Sequence, residues 1–142
     1  MTELALSELR HVAILHRRSL RALERRLAPL GLGPGRYLYL FALYLEDGRS
    51  QQSLADTVSA DKAAATRALA RLESDGYVHR AADPLDRRIT RVFLTPRGRE
   101  LRPVLECAAR EVNEALLAPI PGAERELLRG LLHRLTQETR EE

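Results

Sequence analysis

The chain has 142 residues, 44% hydrophobic and 30% charged, with a formal net charge of +3. That length is one ordinary domain, able to bury roughly 70% of its unfolded surface, and the composition excludes a disordered chain. No run approaches the roughly 18 apolar residues of a membrane span. Met1–Arg10 is acidic rather than basic-then-apolar, which argues against a signal peptide and for the cytoplasm. The single cysteine, Cys107, excludes a disulfide framework and a multi-cysteine zinc site.

In chain order, Glu3 to Leu30 reads as one long helix. Leu9, Val12, Ala13, His16, Leu20, Leu23, Leu27 and Leu30 recur at threes and fours, and Gly31 stops it. Gly33-Pro34 starts a second helix, apolar nearly all round through Tyr37, Leu40, Phe41 and Leu45 and therefore buried. Asp47-Gly48 ends it. Ser50 caps a short helix, Gln51 to Val58, and Asp61 caps the next, which ends at Asp75-Gly76. Two strands follow, Tyr77 to Arg80 and Arg88 to Leu94, joined by a hairpin loop from Ala81 to Arg87. Thr95-Pro96 opens a helix running to about Leu117, with Pro103 either kinking it or marking its true start. The last helix spans Ala123 to Glu138. The expected fold is mainly α with a small β-hairpin: a winged helix-turn-helix (34–98) between terminal helices (1–33 and 99–142). Those ends carry more leucine than one lobe can bury. Leu9, Val12, Leu105, Val112, Leu127, Leu131 and Leu135 are therefore assigned to a homodimer interface.

Function concentrates in Ser50–Ser74. On the second helix, Ala65, Ala68, Leu69 and Leu72 face the core. Lys62, Ala63, Thr66, Arg67, Ala70 and Arg71 face outward. The alanines allow close approach to base pairs, and the polar side chains suit phosphates and base edges. Lys62, Ala63 and Thr66 are expected nearest the bases, and Arg67 and Arg71 at phosphates. The caps Ser50 and Asp61 complete this DNA-binding set. An isolated helix with such a face would read as merely solvated. The hairpin tip, Asp83-Pro84-Leu85-Asp86-Arg87-Arg88, adds a second basic element suited to a minor groove, with Asp86 positioned to aim an arginine.

Asp86-Arg87-Arg88 through Leu94-Thr95-Pro96-Arg97-Gly98 resembles the D-x-R…L-T-x-x-G signature of the MarR family of transcriptional regulators. Ser53-Leu54-Ala55, Thr66-Arg67, Arg71-Leu72-Glu73 and Gly76-Tyr77-Val78 match that family's helix-turn-helix at the right spacing, and the likeness covers nearly the whole chain. It implies an obligate homodimer on a palindromic double-stranded DNA operator, with wings in flanking minor grooves. Arg88 would be the inserted residue and Asp86 its support. It also implies repression relieved by a small aromatic or anionic effector, bound where the second helix meets the first and the wing domain. His16, Arg17, Tyr37 and Tyr39 are the residues named for that pocket. Ala63-Ala64-Ala65 departs from the family's more polar or β-branched choice there and leaves more specificity to DNA shape.

Other groups give bland readings. His11 and His16, five apart, make a poor metal pair. His16, on or near the apolar stripe, is expected as a satisfied core histidine. Cys107 is expected to be packed or idle, with Arg110 its only nearby cation; a cysteine-based redox response is the alternative. Glu138, Glu141 and Glu142 read as a solvated tail. No phosphate loop, nucleophile elbow or acid–base pair suggests an enzyme, and no cofactor is implied. A winged-helix protein-interaction module without DNA binding is the remaining alternative.

Overall fold

The computed structural model describes Glu3 and residues 7–138. Ser7 accepts the Arg10 N–H and caps α1 (Glu8–Leu27). The last turn foreseen for this helix is instead a 3-10 turn, Ala28–Leu30, with Pro29 in its first positions and left-handed Gly31 closing it. Pro34 likewise begins a 3-10 turn, Pro34–Arg36, rather than the helix itself; α2 is Tyr37–Leu45. It is only partly the buried helix expected: Tyr39, Leu40, Ala42 and Leu43 are inside, but Leu38 and Leu45 are exposed.

The next elements follow their caps. Ser50 accepts the Ser53 N–H and starts α3 (Gln51–Thr57); Asp61 accepts the Ala64 N–H and starts α4 (Lys62–Ser74). The link between them passes through Ser59, the one non-glycine residue with positive φ among those described. Strands β1 (Val78–Ala82) and β2 (Thr90–Leu94) form an antiparallel pair in which Val78 faces Leu94 and Ala82 faces Thr90. Ser50 bridges to Arg91, and the Val92 N–H reaches the Arg49 carbonyl at 2.9 Å, so the hairpin is tied to the start of α3.

Thr95 accepts the Gly98 N–H and caps the short helix α5 (Pro96–Glu100). Pro103 does mark a true start: α6 is Arg102–Leu117, with Leu101 as the joint between the two helices. The last helix, α7, is Gly122–Glu138.

One cluster of buried side chains joins these parts. Leu23 and Leu27 of α1, Leu40 and Leu43 of α2, Leu54 of α3, Leu69 and Leu72 of α4, Val78 and Val92 of the hairpin, and Leu105 and Val112 of α6 all belong to it. Helix α1 packs on α6 within the same chain. Leu105 and Val112, assigned from sequence to a dimer interface, are therefore buried already by their own chain. The periodicity placed them on an apolar stripe correctly but gave no way to tell which partner covers it. His16 is also corrected, since it is exposed rather than a core histidine.

Candidate nucleic-acid interface

The outer face of α4 is bare. Lys62, Ala63 and Arg67 are exposed, and neither Lys62 nor Arg67 makes a side-chain hydrogen bond or ion pair among the described residues. Arg71 is exposed too, held loosely by Asp75 one turn on at 3.3 Å. The inner face carries Ala65, Leu69 and Leu72 into the core, as the periodicity requires. Thr66 differs from expectation. Its hydroxyl donates to the Lys62 carbonyl at 2.8 Å and accepts the Gln51 amide at 2.8 Å. Its proton is thus committed to the backbone, and Thr66 fastens α4 to α3.

The wing is built around Asp83, a residue sequence reasoning passed over as part of a loop. It is the buried acid of the structure, 7% exposed among the described residues. Its carboxylate accepts the N–H groups of Leu85 (2.7 Å) and Asp86 (3.2 Å), an Asx-type turn over Pro84. It also pairs with Arg91, whose guanidinium donates on to the Gly48 carbonyl at 3.1 Å. The Arg91 guanidinium, with the two N–H groups, holds Asp83 below the usual carboxylate range. Asp-Pro at the head of a four-residue turn was the available signal.

At the wing's tip the two-residue spacing of Asp86 and Arg88 becomes a fork. Arg88 donates its Nε and one terminal nitrogen to the two Asp86 oxygens, both at 3.0 Å. The bidentate contact lowers the Asp86 pKa and raises that of Arg88. The pair is exposed, so it adds little stability. Its consequence is direction: a planar guanidinium held on an otherwise open tip. Arg87 beside it is exposed without an ion-pair partner among the described residues. At the wing's base, Glu73 of α4 accepts the Arg80 N–H at 2.7 Å and its guanidinium at 3.1–3.2 Å, and this holds Glu73 low. The hairpin's aim relative to α4 is fixed by that contact.

Helix and wing enclose a cleft of about 310 Å³, lined by Ser50, Gln51, Lys62, Ala65, Arg88 and Thr90 among others. Lys62 and Arg88, 26 residues apart in sequence, thus edge one concavity. The side-chain amide oxygen of Gln51, Oε1, is buried there with no hydrogen-bond partner among the described residues. Gln51 was not singled out from sequence; a glutamine after an N-cap carries no signal of its own.

The signature around Gly98 has a packing cause. A Cβ on Gly98 would lie 2.2 Å from the Tyr77 carbonyl oxygen. The Thr95 hydroxyl donates to the Gly76 carbonyl at 2.6 Å while accepting the Gly98 N–H at 3.1 Å. The L-T-x-x-G run is the clasp by which α5 seats under the start of β1.

The MarR family model matches residues 32–90. The chain is 32% identical to the Bacillus subtilis HTH-type transcriptional regulator YybA over 106 residues, 75% of this chain and 71% of that protein. It belongs to the MarR family. A MarR transcriptional regulator from Methanosarcina mazei superposes with a TM-score of 0.86 at 33% identity, covering 92% of this chain and 94% of that one. A point mutant of Escherichia coli MarR, in complex with operator DNA, superposes with a TM-score of 0.79 at 25% identity, covering 89% and 91%. The likeness runs through both terminal helices as well as the winged helix. As a MarR family member the chain is a transcriptional regulator with a DNA-binding winged helix, not an enzyme.

The residues named for an effector pocket fall on α1 and α2 of this MarR family chain. Tyr39 is buried, Tyr37 is half-buried and edge-on to Phe41, while His16 and Arg17 stand exposed on α1. Burial raises both phenol pKa values, with Asp61 adding to the rise at Tyr39. A second, shallow cleft of about 580 Å³ lies between the end of α1 and the start of α6 and is lined by Arg25, Arg26, Pro103, Cys107 and Glu111. Neither cleft includes any of the four. Cys107 is exposed, not packed, and its thiol donates to the Glu111 carboxylate at 3.8 Å. Among the described residues no group of His, Cys, Asp or Glu could hold a metal ion, and no helix is long and apolar enough to cross a membrane. Glu141, Glu142 and the Glu138 side chain lie outside the described residues.

Proposed function

We propose that this MarR family regulator acts as a cytoplasmic homodimer on a palindromic operator and represses transcription until a small aromatic or anionic effector releases it. The supporting observation is the pairing of two basic elements across one cleft: the bare outer face of α4 and the forked Arg88 of the wing. A helix with small and cationic residues fits a major groove. An arginine held at a narrow tip fits the adjacent minor groove. Lys62 and Ala63 would approach bases, Arg67 and Arg71 phosphates, with Ser50 and Asp61 placing the helix starts. Arg87 and Arg88 would enter the minor groove, Asp86 aiming Arg88. Thr66 reads bases only after giving up a bond to α3 or to the backbone, so it serves first as a brace. The likeness to E. coli MarR in complex with operator DNA supports the partner assignment.

The exposed leucines of the ends support dimerisation. Leu9, Val12, Leu127, Leu131 and Leu135 are all exposed in the single chain. Residues 1–33 and 99–142 would form the dimer region around the 34–98 reading head. Two recognition helices would then sit about 34 Å apart, one turn of DNA. Effector release rests on family likeness, with Tyr37 and Tyr39 beside α1 as the site to probe.

The test is fluorescence anisotropy on duplexes flanking the gene against a scrambled duplex, over a salt series. Selective binding at two protomers per duplex is expected. Arg71→Ala should weaken all sequences alike and reduce the log–log salt slope by about one unit per protomer. Arg88→Ala should lose the preference for narrow flanking minor grooves. Normal binding by both variants would overturn the assignment of the reading surface.

A further inference from the structure

The wing's tip carries an apolar side chain that its electrostatics do not explain. Leu85 is 98% exposed, the most open of the large hydrophobic side chains among the described residues. Turn positions ordinarily go to Gly, Pro, Asn, Asp or Ser. This one is also rigid. Pro84 fixes the preceding backbone, and Asp83 holds the N–H groups of Leu85 and Asp86 from below. The Asp83 N–H meets the Ile89 carbonyl at 2.8 Å, and the Ile89 N–H meets the Asp86 carbonyl at 3.0 Å. Leu85 is thus presented at a fixed point, immediately ahead of the Asp86–Arg88 fork.

We infer that Leu85 is a DNA-contacting residue, packing its isobutyl group into the minor groove against the deoxyribose walls that Arg87 and Arg88 draw in. Charge complementarity names the occupant. An apolar protein partner would have to bury Arg87 and Arg88 beside Leu85, whereas a minor groove offers anionic potential along its floor and C–H surface along its walls. Proteins that use this groove commonly place apolar side chains there beside arginine. The ordered turn removes most of the conformational cost of the contact. The inference rests on the operator-binding reading and adds a component to it that salt does not screen.

That last property gives the test. Wild type, Leu85→Ala, Leu85→Gln and Leu85→Met are compared by anisotropy on the selected operator from low to high salt, with thermal unfolding of each free protein. Leu85→Ala and Leu85→Gln should bind about tenfold more weakly at every salt concentration, leaving the salt slope as in wild type. Leu85→Met should bind as wild type, and no variant should change its unfolding temperature, since the side chain stands open in the free chain. Unchanged affinity in Leu85→Ala, an altered slope, or equal weakening in Leu85→Met would overturn the apolar contact while leaving the regulator reading intact. Failure of wild type to bind any duplex selectively would overturn the regulator reading itself, and this contact with it.

Discussion

Leu54, Leu69 and Leu72 of the helix-turn-helix are fully buried within one chain, while Leu9 and Leu127, at 77% and 64%, stand open on the terminal helices. Both regions have the same amphipathic spacing. The middle closes on itself because three helices and a hairpin converge on one point, fixed by caps and by the Thr95–Gly98 clasp. The ends do not: beyond Leu23 toward the N-terminus, α1 has no buried residue among those described, and neither has α7. The largest expected effect breaks the closed region. Gly98→Ala drives a methyl into the Tyr77 carbonyl, which is backbone and cannot swing aside. Overpacking of this kind costs about 1–3 kcal/mol, occasionally more, and here α5 must lift from β1. Thermal unfolding should fall by about 3–10 °C, or, where the cost exceeds that range, the protein should fail to fold.

The open region should respond in assembly rather than in folding. Leu131→Glu on α7 places a charge where a partner's apolar face is expected, and Leu131 is exposed in the single chain. Loss of a central contact worth ~2 kcal/mol weakens association about 30-fold. Light scattering should show monomer at concentrations where wild type is dimeric, with helicity retained. An unchanged dimer would move the interface elsewhere. Together with Gly98→Ala, this variant separates intrachain from interchain leucine, a distinction that no stability measurement on wild type provides.

The same division explains what was legible in the sequence. Caps were readable because their chemistry is local: Ser50, Asp61 and Thr95 each accept the expected N–H three residues on. That Asp86 would aim an arginine was readable for the same reason, while the choice of Arg88 came from the family resemblance. Prolines 34 and 103 and Gly31 marked real boundaries, although Pro34 opened a 3-10 turn rather than a helix. Long-range choices were not readable. That Leu105 and Val112 meet α1 of their own chain, that Gln51 occupies the Thr66 hydroxyl, and that Asp83 rather than Asp86 anchors the wing all depend on contacts between distant segments. Periodicity gives a face, not its neighbour.

Asp83 tests how far the wing shares the stability of the closed region. Its folded pKa lies below the unfolded value near 3.9. A depressed carboxylate contributes stability in full above the unfolded pKa and loses it as pH falls through the folded one. Wing order should therefore be constant from pH 7 to about 5 and decline below about 4. Asp83→Asn should reproduce that acid state at pH 7. Hydrogen exchange at the Leu85 and Asp86 amides should quicken by about tenfold, while Leu69 and Leu72 amides in α4 stay protected. Equal loss at both places would mean that wing and core open as one unit.

The smallest effect concerns the link between α3 and α4. Ser59 sits at φ 56°, in the left-handed region, and is exposed. Its N–H bonds to the Asp56 carbonyl at 3.2 Å, and the next N–H, of Ala60, reaches the Ala55 carbonyl at 2.9 Å. This is a helix C-terminal turn of the kind glycine fills without steric cost. Ser59→Gly removes the unfavourable Cβ contact but also gives the unfolded chain more freedom. The first is worth about 1 kcal/mol, and the second takes back about 0.4–1 kcal/mol. A net gain of a few tenths of a kcal/mol is expected, read as a rise of one or two degrees in unfolding temperature. Because the link sets the angle between α3 and α4, operator affinity should be measured beside it. Unchanged affinity with raised stability would show that the strain is incidental to DNA reading. Weakened affinity would show that the serine's restriction of the turn helps hold α4 at its angle.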